Sequence, residues 1–296
     1  MIHDMPDRTN QLPPRERPEK RGRYDVALDA TLKAELDRLD ALKMQLDQLK
    51  EKHPELWPAV LHKLKVRWTT DSNAIEGSTL TFAETLFFLE QGLTVKGKPF
   101  KDHLDARNHA EAIEMLFDAV AQQRPISEGL LKELNALIML GVTHTPARDR
   151  FRRKQQKPVT SGQYKQQPNH VVQANGTIHH YVEPVHVGSE MQELCSWIET
   201  AGASQHPAIT AALAHYNYVR IHPFDDGNGR GARILMNLVL MRAGFPPIVQ
   251  SATLRQDYIA ALNLADNGDL RPFVDFLLAQ AQASIEAMIE DFRQAP

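Results

Sequence analysis

Apolar side chains recur along this chain at intervals of three and four, which places them on one face of an α-helix. Between residues 26 and 52 the leucines form two columns, Leu28, Leu42 and Leu49 in one and Leu32, Leu39 and Leu46 in the other. This heptad stripe of about three repeats either docks onto the rest of the chain or makes the seam of a homodimer. Helical spacing continues over 55–68 and 81–91, where Phe82, Leu86, Phe87 and Leu89 supply core, then over 102–121 with Ala112, Ile113, Leu116, Phe117 and Val120. Ser127 is the expected cap of a helix reaching 140. Further helical stretches follow at 190–200, 206–221, 231–241, 256–265 and 270–292.

The pattern is thus mainly α, with one β-like stretch at 162–187. There Val171 and Val172 precede Ala174-Asn175-Gly176, an Asn-Gly turn signal, and Thr177, Ile178, Tyr181 and Val182 follow, so a β-hairpin fits. Just before it, residues 148–157 carry Arg148, Arg150, Arg152, Arg153, Lys154 and Lys157 against Asp149. That run reads as a solvated basic loop, or as one that attracts nucleotide or an acidic partner. Its one aromatic, Phe151, is too little for base stacking, so nucleic acid is not an expected partner. Residues 1–24, with few apolar groups among Pro, Arg, Glu and Asp, read as a disordered tail.

Composition narrows the class. With 296 residues, a net charge of −3, 42% hydrophobic and 24% charged residues, the chain suits one large or two small globular domains. The single cysteine, Cys195, excludes an internal disulfide and a thiolate zinc cluster, and its neighbours Met191, Leu194, Trp197 and Ile198 assign it to core packing. His179, His180 and His186 lack helical ligand spacing and have no obvious acidic partner, which argues against a metal site there. No apolar run approaches the roughly 18 residues of a membrane span, so the expectation is a cytoplasmic protein without a membrane partner.

One stretch concentrates chemistry: His222-Pro223-Phe224-Asp225-Asp226-Gly227-Asn228-Gly229-Arg230-Gly231-Ala232-Arg233. It lies between two apolar-periodic helices, so it is a loop opening into a helix N-terminus, where free N–H groups and the dipole favour an anion. Gly227 and Gly229 permit close backbone approach. Arg230 and Arg233, one turn apart, share a helix face and can reach the same phosphate chain. Asp226 is a hard oxygen ligand of the kind Mg2+ takes beside phosphates, and His222 is a candidate base. Separately, His-Pro is a helix stop, Gly-Asn-Gly a turn and an Arg pair a solvated face. No turn or surface helix requires all of them at once.

The stretch resembles the signature of the Fic family, His-x-Phe-x-(Asp/Glu)-Gly-Asn-Gly-Arg-x-x-Arg, with every fixed position filled. The resemblance implies a Fic-type helical domain over 67–293, behind an N-terminal helical region at 25–66, with residues 162–187 as the family's flap. It also implies a protein adenylyltransferase, with ATP as substrate and Mg2+ as cofactor, that moves AMP to a Ser, Thr or Tyr hydroxyl of a target protein registered along the flap. His222 would be the base and Asp226 the metal ligand. Gly227, Asn228 (backbone and side chain), Gly229, Arg230 and Arg233 would bind the phosphates. Tyr258, Ile259 and Asp266 correspond to residues that cradle the adenine, although relatives often carry Asn at the last. A lysine at position 229 marks the phosphotransferase branch; Gly229 favours nucleotidyl transfer.

Upstream, Ser72-Asn73-Ala74-Ile75-Glu76-Gly77 matches the (Ser/Thr)-x-x-x-Glu-(Gly/Asn) motif of the family's inhibitory helix, here about 68–77. The resemblance implies that Glu76 pairs with Arg233 in a bidentate contact that competes with the γ-phosphate. Some relatives use this glutamate to position a hydrolytic water and remove AMP. Glu76 is therefore a brake, a second catalyst, or both. A non-catalytic module that senses ATP is the rival from another class. Self-modification and a homodimer are compatible with the sequence.

Overall fold

The computed structural model describes residues 23–148, 153–172, 176–201 and 204–294. Ten helices run through them: α1 (Ala30–Lys52), α2 (Trp57–Ile75), α3 (Phe82–Gln91), α4 (Phe100–Ala121), α5 (Glu128–Ile138), α6 (Pro184–Ala201), α7 (Pro207–Ile221), α8 (Asn228–Arg242), α9 (Arg255–Asp266) and α10 (Arg271–Gln294). Local chemistry sets several starts. Asp29 caps α1 by accepting from Leu32 N, which places the start four residues after Val26. Thr81 and Glu84 form a reciprocal capping box on α3, and Ser127 caps α5 through Leu130 N. At the end of α2, Gly77 takes φ 99° while Ser78 N bonds Asn73 O, so the helix stops where the glycine predicts.

A single apolar core reaches from Leu32 to Phe292. Its centre is the antiparallel pair α7 and α8, buried along almost their whole length. Around this pair lie α4, α5, α6, α9 and α10, with α2 packed on α4 and α1 on α10. The Leu32, Leu39 and Leu46 column of α1, with Leu36, therefore docks within the chain, while Leu28 of the other column stays exposed. The tail boundary also moves. Arg23 and Tyr24, expected in the tail, are seated: Asn217 Nδ2 donates to Arg23 O at 2.8 Å, and Tyr24 packs on Trp197 at 4.7 Å between ring centroids. The remaining tail residues lie outside the described residues.

The β structure is larger than expected. The basic run is not a plain loop but part of an antiparallel ribbon, β1 (His144–Arg148) with β2 (Lys154–Pro158), whose tip at 149–152 lies outside the described residues. Its strands, HTPAR and KQQKP, have no apolar alternation, so no period-2 signal announced them. The predicted hairpin forms as β3 (Val171–Val172) and β4 (Ile178–His179), two residues each; Ala174 and Asn175 of its turn lie outside the described residues. Tyr181 and Val182 have left the ladder.

Truncating a docked leucine tests the seating of α1. Leu39→Ala, at a fully buried site, is expected to cost about 2–5 kcal/mol, read as a lowered urea midpoint with an unchanged slope.

Candidate active site

The C-terminus of α7 and the N-terminus of α8 face each other across residues 222–227. His222 ends α7 in the left-handed region, φ 52° and ψ 59°. For a non-glycine residue this costs about 1–2 kcal/mol, so the surroundings must enforce it. Asn228 closes the loop from its other end: its Oδ1 accepts from Phe224 N at 2.9 Å and its Nδ2 donates to Phe224 O at 2.8 Å. Its side chain is thus a bracket within the loop, which corrects the expectation that it faces the anion. Gly227, at φ 79°, leaves no room for a β-carbon, which would stand 2.9 Å from Met139 Sδ. Asn135 Nδ2 holds Asp226 O at 3.0 Å from α5. Gly231 lets α8 lie against α7, since a β-carbon there would meet the Tyr218 hydroxyl at 2.6 Å.

Arg230 and Arg233 in the first half of α8 are buried, and each has a protein acid. Arg233 Nη2 donates to Glu76 Oε1 at 2.7 Å and to Ser72 O at 2.9 Å, while its Nε donates to Ser72 Oγ at 2.8 Å. The contact with Glu76 is through one nitrogen rather than bidentate, and Ser72 holds the Nε and Nη2 side of the guanidinium. That gives Ser72 a physical role in the motif. Glu76 lies directly over Gly229, where a β-carbon would collide with its Oε1. Burial works against the Glu76 carboxylate, but the charge and hydrogen bond of Arg233, with Arg230 and Arg255 behind, hold its pKa below the ordinary carboxylate range. The depressed value means that the pair's contribution persists above that range and is lost in acid. Arg233 Nη1 keeps no partner, a buried donor free for an anion. Arg230 is committed to Asp105 Oδ1 at 2.9 Å, a partner on α4 that sequence reasoning missed. Asp226 accepts from Thr145 Oγ1 of β1 at 2.6 Å and from Gly227 N at 2.5 Å, with its side chain one-third exposed.

His222 lies beneath the flap. Tyr181 stacks on its ring at 3.8 Å, 17° from parallel. Burial, then the charge of Lys165, lowers the His222 pKa to about 3, against smaller opposing effects from the Val219 carbonyl and Asp226. The imidazole is therefore neutral at pH 7. Its Nδ1 faces Val219 O at 3.4 Å, an acceptor, so the proton belongs on Nδ1 and the lone pair on Nε2. That is the protonation a base needs.

The adenine candidates are dispersed. Tyr258 is buried with its hydroxyl on His215 Nε2 at 2.9 Å, Ile259 is 39% exposed, and Asp266 accepts from Tyr216 at 3.3 Å. Of the three histidines weighed as a metal site, His179 does have an acidic neighbour, Asp266 at 3.6 Å; His170 nearby lies 3.3 Å from Glu183.

Residues 125–240 match the family described as Fic/DOC. The chain is 32% identical over 219 residues to the protein adenylyltransferase fic-1 of Caenorhabditis briggsae, covering 73% of this chain and 39% of that one. It is 34% identical over 220 residues to the protein adenylyltransferase Fic of Nematostella vectensis, covering 74% and 47%. The chain therefore spans less than half the length of these curated relatives. Among solved structures, a Fic-domain-containing signalling protein of Bacteroides thetaiotaomicron superposes with a TM-score of 0.76 at 29% identity, covering 88% of this chain and 98% of that one. A Caenorhabditis elegans Fic-1 fragment gives 0.74 at 26% identity, covering 90% and 75%.

Removing the ring that covers His222 should return its basicity. In Tyr181→Ala the His222 pKa is expected to climb from about 3 toward the ordinary 6.5, followed as the pH dependence of its imidazole NMR signals. An unmoved titration would show that the flap does not control the base.

Proposed function

Because this chain belongs to the Fic/DOC family, we propose that it is a protein adenylyltransferase that transfers AMP from ATP to a hydroxyl of a target protein, restrained by its own Glu76. The observation that carries this reading is the contact of Glu76 with Arg233 over Gly229, at the mouth of the only helix that opens from the signature loop. A carboxylate held there stands where that helix end attracts an anion. The names of the relatives, protein adenylyltransferases, support the chemistry.

In this reading the phosphates of ATP lie on the first-turn N–H groups of α8, which have no acceptor within the helix. Arg233 turns from Glu76 to the leaving phosphates, and Arg230, anchored by Asp105, adds fixed positive charge. The target hydroxyl gives its proton to His222 Nε2 as its oxygen attacks the α-phosphorus; the bond from that phosphorus to the bridging oxygen breaks and pyrophosphate departs. A base of this kind is worth about 10²–10⁴-fold, and aligned positive charge supplies most of the rest. Asp226 is the candidate ligand for Mg2+, which when bound neutralises phosphate charge. One partly exposed carboxylate suits an ion that takes its other ligands from phosphates and water, and no larger cluster of acidic or histidine ligands occurs among the described residues. The flap presents Val171 and Ile178, each about half exposed, for pairing with a strand of the target. Self-modification uses the same surface.

Glu76 also supports a second activity. Its side chain is 40% exposed beside the phosphate position, where it could orient a water for removal of AMP from modified protein.

Incubation with Mg2+ and ATP labelled at the α-phosphate tests both. Glu76→Gly is expected to raise incorporation into itself or a lysate by about tenfold or more, a 1.4 kcal/mol release, and adding His222→Ala should abolish it. Label from the γ-phosphate instead would establish phosphotransfer. Unlabelled protein in every variant, with AMP lost from a pre-modified target, would replace transfer with removal.

A further inference from the structure

Lys165 is a lysine with 1% of its surface exposed, at the start of the flap segment, and its side chain has been given no role so far. Burying an ammonium is costly unless its hydrogens find acceptors, and the acceptors here belong to the segment that carries His222. Lys165 Nζ donates to Ile221 O at 3.4 Å and to Asn169 Oδ1 at 2.7 Å. Lys165 N donates to Pro223 O at 2.9 Å. Asn169 Nδ2 donates to Phe224 O at 2.8 Å, and the Tyr164 ring packs on Phe224 at 5.4 Å. The carbonyls of Ile221, Pro223 and Phe224 are thus all held by one short strap, on both sides of His222. The ammonium also stands at the C-terminus of α7, where a cation meets the negative end of the helix dipole, and 5.8 Å from the centre of the Tyr181 ring that covers His222.

The left-handed backbone of His222 is unfavourable for a side-chain-bearing residue and needs such restraint. We propose that Lys165 is a positioning residue for the transfer reaction: its ammonium, with Asn169, locks residues 221–224 so that His222 presents Nε2 to the incoming hydroxyl. This rests on the reading of His222 as the base. The charged form is the one that meets the negative end of α7 and makes the strongest hydrogen bonds to Ile221 O and Asn169 Oδ1. Burial lowers the Lys165 pKa to about 8, with Glu183 and Asp225 raising it and Lys157 lowering it; His170, His222 and Tyr181 also face it. The ammonium is therefore present at pH 7 and lost as pH rises through about 8, and activity should fall with it.

The test uses Glu76→Gly as parent, followed by Lys165→Met, Lys165→Arg and Asn169→Ala on that background. Lys165→Met is expected to lower kcat for AMP transfer by roughly 10–100-fold with KM for ATP unchanged. Lys165→Arg should restore most of the rate and abolish the parent's decline above pH 8, because arginine stays charged. Asn169→Ala, which removes one arm of the strap, should show a smaller kcat loss of the same kind and carries the test if Lys165→Met does not fold. Rates within twofold of the parent, equal changes in kcat and KM, or an alkaline decline that persists in Lys165→Arg would overturn the proposal. If the parent transfers no AMP, the functional reading fails, and the strap is judged on His222 alone. Its imidazole 15N shifts should report an Nδ1-protonated ring in the parent and a mixture in Asn169→Ala. Identical shifts would end the proposal.

Discussion

The turn between α7 and α8 is the constraint on which the other features depend. Two helices buried on nearly all sides must be joined by six residues, and close contact between them is possible because Gly231 leaves the Tyr218 hydroxyl its place. That geometry brings a negative helix end and a positive helix end side by side. His222 occupies the first and the donors of α8 form the second. A base and an anion cradle become neighbours because the chain reverses there, and Asn228 keeps the reversal from opening by bonding both backbone groups of Phe224.

Buried charge shapes the rest. Arg230 and Arg233 enter a nearly dry environment, where an unpaired guanidinium would be severely destabilising. Arg230 is matched permanently by Asp105, itself bonded to Lys101. Arg233 is matched by Glu76 and Ser72 of α2, an element outside the α7–α8 unit. The difference separates a fixed charge from a releasable one. Ser72 can remain on Arg233 while Glu76 swings away, so release does not leave the guanidinium bare. Arg255, which donates to Ile75 O at 2.8 Å, ties the end of α2 to the start of α9 and thereby links the proposed brake to the helix that bears Tyr258.

The base is controlled by coverage rather than by a carboxylate. Tyr181 stacks over His222 and Lys165 adds positive charge beside it, so the imidazole stays neutral. In the proposed reaction, the flap has to admit the target hydroxyl to His222. Over the ring itself the flap is held by the Tyr181 stack, the two-residue strand pair and the contact of His179 with Asp266.

Much of this was legible in the sequence, because the cues were local. Heptad leucines, Gly77 and the compact run from His222 to Arg233 each act within one or two helical turns, so spacing alone declared mainly helical structure and a phosphate-type loop, while the pairing of Glu76 with that loop came only from family resemblance. What spacing could not declare was anything decided between distant segments. Asp105, Thr145, Lys165 and Tyr181 carry no motif, and β1 and β2 lack an alternating pattern. Sequence also assigned the side chain of Asn228 to a ligand that the loop itself uses, and left α1 between two destinations. Residue types and local periodicity determined which groups were available; which of them face one another, and so which charges are fixed, releasable or covered, was decided by tertiary packing, because burial and pairing depend on contacts across the whole chain.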